Sequence, residues 1–83
     1  MTQTSDAQLG NDFIEFLHKI QEALHDKNHD LLEDLSKSNV PLFEEECAVV
    51  MFGAKLVINN DVERAKYMDV LKEQIAVCEA LLQ

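Results

Sequence analysis

The sequence predicts an all-α fold: a small antiparallel bundle of three main helices, the first either continuous or split in two, completed by dimerisation. Three observations lead there. Apolar residues recur at helical spacing along most of the chain, and two glycines and one proline leave little material for the many turns of an all-β fold. Eighty-three residues amount to one domain with a modest core. A composition of 47% apolar and 28% charged residues is that of a chain that folds.

Residues 1–10 (MTQTSDAQLG) carry a single leucine among small and polar residues and read as a flexible N-terminal tail, which leaves 11–83 as one helical-bundle domain. Asn11 or Asp12 is placed to cap a first helix over 12–36, where Phe13, Leu17, Ile20, Leu24, Leu31 and Leu35 keep helical register and Phe16 and Ala23 widen the stripe. Poor helix formers cluster at Asp26-Lys27-Asn28-His29-Asp30, so the helix either runs through that stretch or breaks in it. Ser36-Lys37-Ser38-Asn39 is a connector. Pro41 is read as opening a second helix over 41–58, since a missing N–H costs nothing in a first turn. Glu44, Glu45 and Glu46 suit the positive end of that helix dipole.

The second helix is the unusual one. From Cys47 to Ile58 only Lys55 interrupts apolar or small side chains, so the helix is apolar nearly all the way round and needs cover on more than one side. Phe43, Cys47, Val50, Ala54 and Val57 form one seam; Leu42, Val49, Phe52 or Gly53, and Leu56 form another. Met51, with Ala48, Lys55 and Ile58, falls on a third side that a simple three-helix monomer would leave in water. Gly53 lowers helix propensity by about 1 kcal/mol relative to alanine, which predicts a close neighbour there.

Asn60 followed by Glu63 has the form of a capping box for a last helix over 61–82. Met68, Leu71, Ile75, Cys78 and Leu82 repeat at coiled-coil spacing, and Tyr67, Val70, Val77 and Leu81 form a second stripe beside them. One layer of helices cannot cover both seams of the second helix and both stripes of the last. A homodimer interface is therefore expected among Val49, Met51, Phe52, Gly53, Leu56, Ile58, Tyr67, Val70, Val77 and Leu81.

Charge narrows the partners. Sixteen acids against seven bases give −9, and the bases are scattered, so direct binding to nucleic acid or an anionic membrane is disfavoured. The longest apolar run falls well short of the roughly 20 residues that span a bilayer, and a cytoplasmic location is expected. His18, Glu22, His25 and His29, spaced 4-3-4, would share one face of a continuous first helix and form a weak metal candidate, exposed and without a closed ligand set. Cys47 and Cys78 fall roughly 9 Å out of register in an antiparallel hairpin, too far apart for a disulfide, and the glutamates before Cys47 raise its pKa. The two glycines stand apart, which supplies no phosphate-binding loop.

No cofactor and no enzymatic activity are expected. The reading that follows is a small acidic non-catalytic protein-binding regulator, an inhibitor or adaptor acting on another protein, with a basic or nucleic-acid-binding partner favoured by charge. The alternative is a chaperone-like holder of a secreted or assembling subunit through an apolar helical groove. Binding would weaken with salt in the first case and respond little in the second.

Overall fold

Local chemistry at each helix end sets the architecture. The computed structural model describes residues 6–38 and 40–82, and among these residues there are four helices: α1 Asp6–Asp26, α2 His29–Ser36, α3 Glu44–Val57 and α4 Asp61–Leu81. The chain is all-helical, as the sequence predicts, and among the described residues no helix is long and apolar enough to cross a membrane.

The first helix starts earlier than predicted. Asp6–Gly10, assigned above to a tail, are the opening turns of α1, while residues 1–5 lie outside the described residues. Packing against the far end of α4 holds these turns. Leu9 and Gly10 are buried, and a Cβ on Gly10 would lie 2.8 Å from Leu82 Cδ2. Asn11 and Asp12 are thus interior to α1 rather than caps.

Of the two versions of the first helix, the broken one is found. The Asn28 N–H donates to the Ala23 carbonyl (2.8 Å) and the Lys27 N–H to that of Leu24 (3.2 Å), with Lys27 left-handed at φ 51°. These paired bonds are a Schellman stop, here with lysine where glycine is usual. Asn28 then starts α2, its Oδ1 accepting from the Leu31 N–H at 3.0 Å.

Pro41 does not open α3. It occupies the second position of a turn closed by the Phe43 N–H donating to the Val40 carbonyl (2.9 Å), and Leu42 follows at φ 74°. Pro followed by a positive φ is the pattern of a type II turn. Phe43 stacks on Phe13, centroids 4.7 Å apart and rings 8° from parallel, so the connector is pinned to α1 and the helix begins at Glu44. At the other junction Asn60 caps α4 as predicted, Oδ1 accepting from the Glu63 N–H at 3.0 Å. The return half of the box is replaced, because the Asn60 N–H donates to the Val57 carbonyl (2.9 Å).

Helix α1 is the hub and packs against all three others; α3 also touches α2 and α4, which lie on opposite sides of the α1–α3 pair. Contacts from Gly10 to Leu82, Gln21 to Met68 and Lys27 to Asp61 show α1 and α4 running in opposite directions. The core gathers Leu17, Ile20 and Leu24 of α1, Leu32 and Leu35 of α2, Cys47, Met51 and Ala54 of α3 with Ile58 just past its end, and Leu71 and Ile75 of α4. Met68, Cys78 and Leu82 pack against it, so the predicted seam of the last helix faces inward.

Met51 and Ile58, predicted to face water, are buried at 7% and 3% exposure. Because the first helix breaks, its second half returns as α2 and covers the side of α3 that a continuous helix would have left open. The buried face of α3 is accordingly Cys47-Met51-Ala54-Ile58, with Val50 and Val57 half-buried at its edge.

Gly53 has the close neighbour its cost implied. The Tyr67 ring of α4 lies over it, its hydroxyl donating to the Val50 carbonyl at 2.9 Å, and a Cβ on Gly53 would lie 2.5 Å from that oxygen. We expect Gly53→Ala to destabilise the fold by about 1–3 kcal/mol despite its gain in helix propensity, since Tyr67 must move and lose its bond. Urea unfolding of Gly53→Ala, Tyr67→Phe and the double variant should give less than the sum of the single losses; additive losses would show that the two residues are not in contact.

Candidate functional site

The face of α3 turned away from α1 is the site the fold leaves open. Val49, Phe52 and Leu56 lie at successive turns on it, at spacings of three and four residues, and are 70%, 67% and 66% exposed. They point opposite the buried Cys47-Met51-Ala54-Ile58 face. Leu42, in the turn before α3 and in a strained left-handed conformation, is as exposed as Leu56. A chain gains nothing in folding from large side chains left in water, so this ridge stands out.

A groove flanks the ridge on each side. Between α3 and α4 an open groove of 410 Å³ is lined by Phe13, Val49, Val50, Tyr67, Val70 and Leu71, with Glu45, Glu46 and Gln74 at its rim. Between α2 and α3 a second, of 600 Å³, has Phe16, Leu35, Ala48 and Met51 in its walls beside Phe52, with Ser36-Lys37-Ser38 at its mouth. The sequence allows for an apolar helical groove without specifying the residues that would line it. The 14 residues of α3 also stop short of the 21 of α4. Towards the end of α4, where Leu82 meets Gly10 of α1, Val77 and Leu81 are exposed, as is Val70.

The ten predicted interface residues therefore divide. Val49, Phe52, Leu56, Val70, Val77 and Leu81 are exposed; Met51 and Ile58 are core; Gly53 and Tyr67 meet each other inside the α3–α4 contact. Leu42 and Val62 are exposed but fall outside the predicted set.

The histidine face is dismantled by the break in the first helix. His18, Glu22 and His25 stay on α1, whereas His29 opens α2 beyond the reversal at Lys27, and His25 Nδ1 lies 3.0 Å from Asp26 Oδ1. Among the described residues no group of three or more histidine, cysteine or acidic side chains could hold a metal ion. Cys47 and Cys78 are free thiols. Burial, more than the nearby Glu46 and Glu44, pushes the Cys47 thiol upward, while a backbone bond from Val40 acts the other way; burial alone raises Cys78. Neither is poised as a thiolate nucleophile.

One charged cluster is well knit, and it is structural. Asp61 in the first turn of α4 lies 3.1 Å from Lys27 Nζ and 2.8 Å from Arg64, whose other terminal nitrogen donates to the Ile58 carbonyl at the end of α3 (3.0 Å). The cluster ties the stop of α1, the end of α3 and the start of α4 together. Hydrogen bonds from Lys27 and then Arg64 hold the Asp61 carboxyl below its ordinary 3.8. Its contribution is therefore complete above pH 3.8 and lost as the pH falls below it. The stability difference between the natural chain and Asp61→Asn should be present well above that pH and vanish well below it in denaturant melts; a difference that persisted in acid would mean the carboxylate charge plays no part.

No family model, curated protein or solved structure matches this chain.

Proposed function

We propose that this chain is a small acidic non-catalytic regulator, an inhibitor or adaptor that works in the cytoplasm by binding another protein, and that its working unit is an antiparallel bundle completed as a homodimer. The observation that carries this reading is the α3 ridge of Val49, Phe52 and Leu56, large apolar side chains two-thirds in water on a chain of charge −9. Apolar contact supplies affinity; the acidic surroundings select the partner. A basic or nucleic-acid-binding protein fits best, because Glu45 and Glu46 border the apolar α3–α4 groove.

A second reading has its own observation. The same α3–α4 groove, open and walled by Val49, Val50, Tyr67, Val70 and Leu71, would accept the apolar face of a helix from a secreted or assembling subunit, making the chain a chaperone-like holder.

Two labelled amphipathic peptides with the same leucine face, one edged with lysine and arginine and the other with glutamate, separate these readings. For the regulator, titration at low salt should show the basic peptide binding about tenfold or more tightly than its acidic twin, the gap closing as salt rises. Equal, salt-insensitive binding of both would transfer the case to the holder, and failure of both to bind would overturn the two readings together.

A further inference from the structure

The α3 ridge has features that a second copy of the same chain would match, and a general basic partner would not require them. Charge on this helix is confined to its ends. Glu44, Glu45 and Glu46 occupy the first turn and Lys55 the last, with Val49, Phe52 and Leu56 between them along the outer face. Two such helices side by side and parallel would set three glutamates against three. Turned antiparallel, they bring the acidic turn of each toward the Lys55 end of the other, while the apolar middles coincide. Lys55 lies 3.6 Å from Glu33 and is half exposed, so its ammonium keeps N–H groups for a second carboxylate.

Shape points the same way. A twofold interface must present a projection and a matching recess on one surface, at the same height along the axis. Phe52 is the projection. The 600 Å³ groove between α2 and α3 lies beside it; Ala48 and Met51 on one side and Lys55 on the other bracket Phe52 within one turn along its α3 wall, and Phe16, Leu35, Lys37 and Glu44 also line it. Placing the twofold axis at Phe52 sets Val49 beside Leu56 of the opposite helix, offset by only about 1.5 Å at the helical rise, and directs each Phe52 toward the other copy's groove.

We infer that α3 is the dimerisation helix, packing antiparallel on its counterpart about a twofold axis at Phe52, with Phe52 of each copy seated in the α2–α3 groove of the other. This rests on the homodimer part of the reading above and names its surface. Contact with a basic partner would then fall to the acidic surface and to the flank of α4 around Val70, Val77 and Leu81. The two associations should also answer salt differently. Screening weakens attraction to a basic partner, whereas on the dimer it damps repulsion between two chains of −9 each while weakening the Glu–Lys55 attraction, so dimerisation should respond less.

Light scattering over a dilution series tests the assembly, with Phe52→Glu and Val77→Glu compared against the natural chain and circular dichroism checking that each variant stays helical. Both positions are exposed in one copy, so neither variant should lose its fold. Phe52→Glu should weaken the dimer about 100-fold or more and Val77→Glu should leave it intact. Cysteine pairing tests the direction. Under mild oxidation Phe52→Cys should cross-link with itself, and a mixture of Val49→Cys with Leu56→Cys should cross-link far better than either alone, with the parent chain oxidised alongside to account for Cys47 and Cys78.

A dimer that survives Phe52→Glu but dissociates with Val77→Glu would overturn this assignment while leaving the homodimer reading in place. Self-cross-linking of Val49→Cys without the mixed product would overturn the antiparallel arrangement. A natural chain that stays monomeric at every concentration would overturn the homodimer reading itself, and this assignment with it.

Discussion

A helix that is apolar around most of its circumference sets a demand that the rest of this fold is built to meet. Helix α3 needs cover on several sides, and a chain of this length has only three other helices to offer among the described residues. Helix α1 takes the inner side, α4 takes the side of Gly53 and Val50, and α2 exists as a separate helix to take the side of Met51 and Ile58. The fourth side, Val49-Phe52-Leu56, has no cover among the described residues. Breaking the first helix at Lys27 is thus the step that turns a demand for two layers of neighbours into a demand for one more surface.

The outer faces of α1 and α3 show how unevenly the chain distributes its polarity. On α1 the solvent side carries Glu15, His18, Lys19, Glu22 and His25, all exposed, and it is dressed for water in the ordinary way. On α3 the corresponding side carries valine, phenylalanine and leucine. Helix α1 buries the wider apolar face and helix α3 the narrower one, Cys47, Met51 and Ala54, yet it is α3 that leaves large apolar side chains in water. Acids concentrate at helix starts, where Glu44 to Glu46 and Asp61 with Glu63 complement the dipoles, and at Asp61 the charge also links three helix ends. Such placement keeps charge away from the middle of the ridge. A surface built this way combines an acidic exterior with a neutral apolar strip, which is the physical basis for proposing two kinds of contact rather than one.

Features governed by nearest neighbours along the chain are legible in the sequence. Asn60 caps α4 through the Glu63 N–H, Met68-Leu71-Ile75-Cys78-Leu82 faces inward, and the glycine at 53 marks a close approach, that of the Tyr67 ring. Features that depend on a distant partner are not. Asp6 to Gly10 look like a tail until Leu82 is placed against Gly10, and Pro41 looks like a helix start until Phe43 is stacked on Phe13. Met51 and Ile58 look exposed as long as the position of α2 is undecided. The same ambiguity assembles a histidine face that the turn at Lys27 takes apart.

The sequence by itself determined that the chain is helical, where two of its connectors fall, and that α3 carries more apolar surface than one neighbour can hide. Those properties follow from spacing, propensity and composition, which act over a few residues. Only the tertiary structure decided which side of α3 each neighbour takes, and hence that Val49, Phe52 and Leu56 rather than Met51 and Ile58 remain in water. That choice turns on the left-handed turn at Lys27, which the local pattern at 26–30 allows without requiring, and on contacts between residues tens of positions apart.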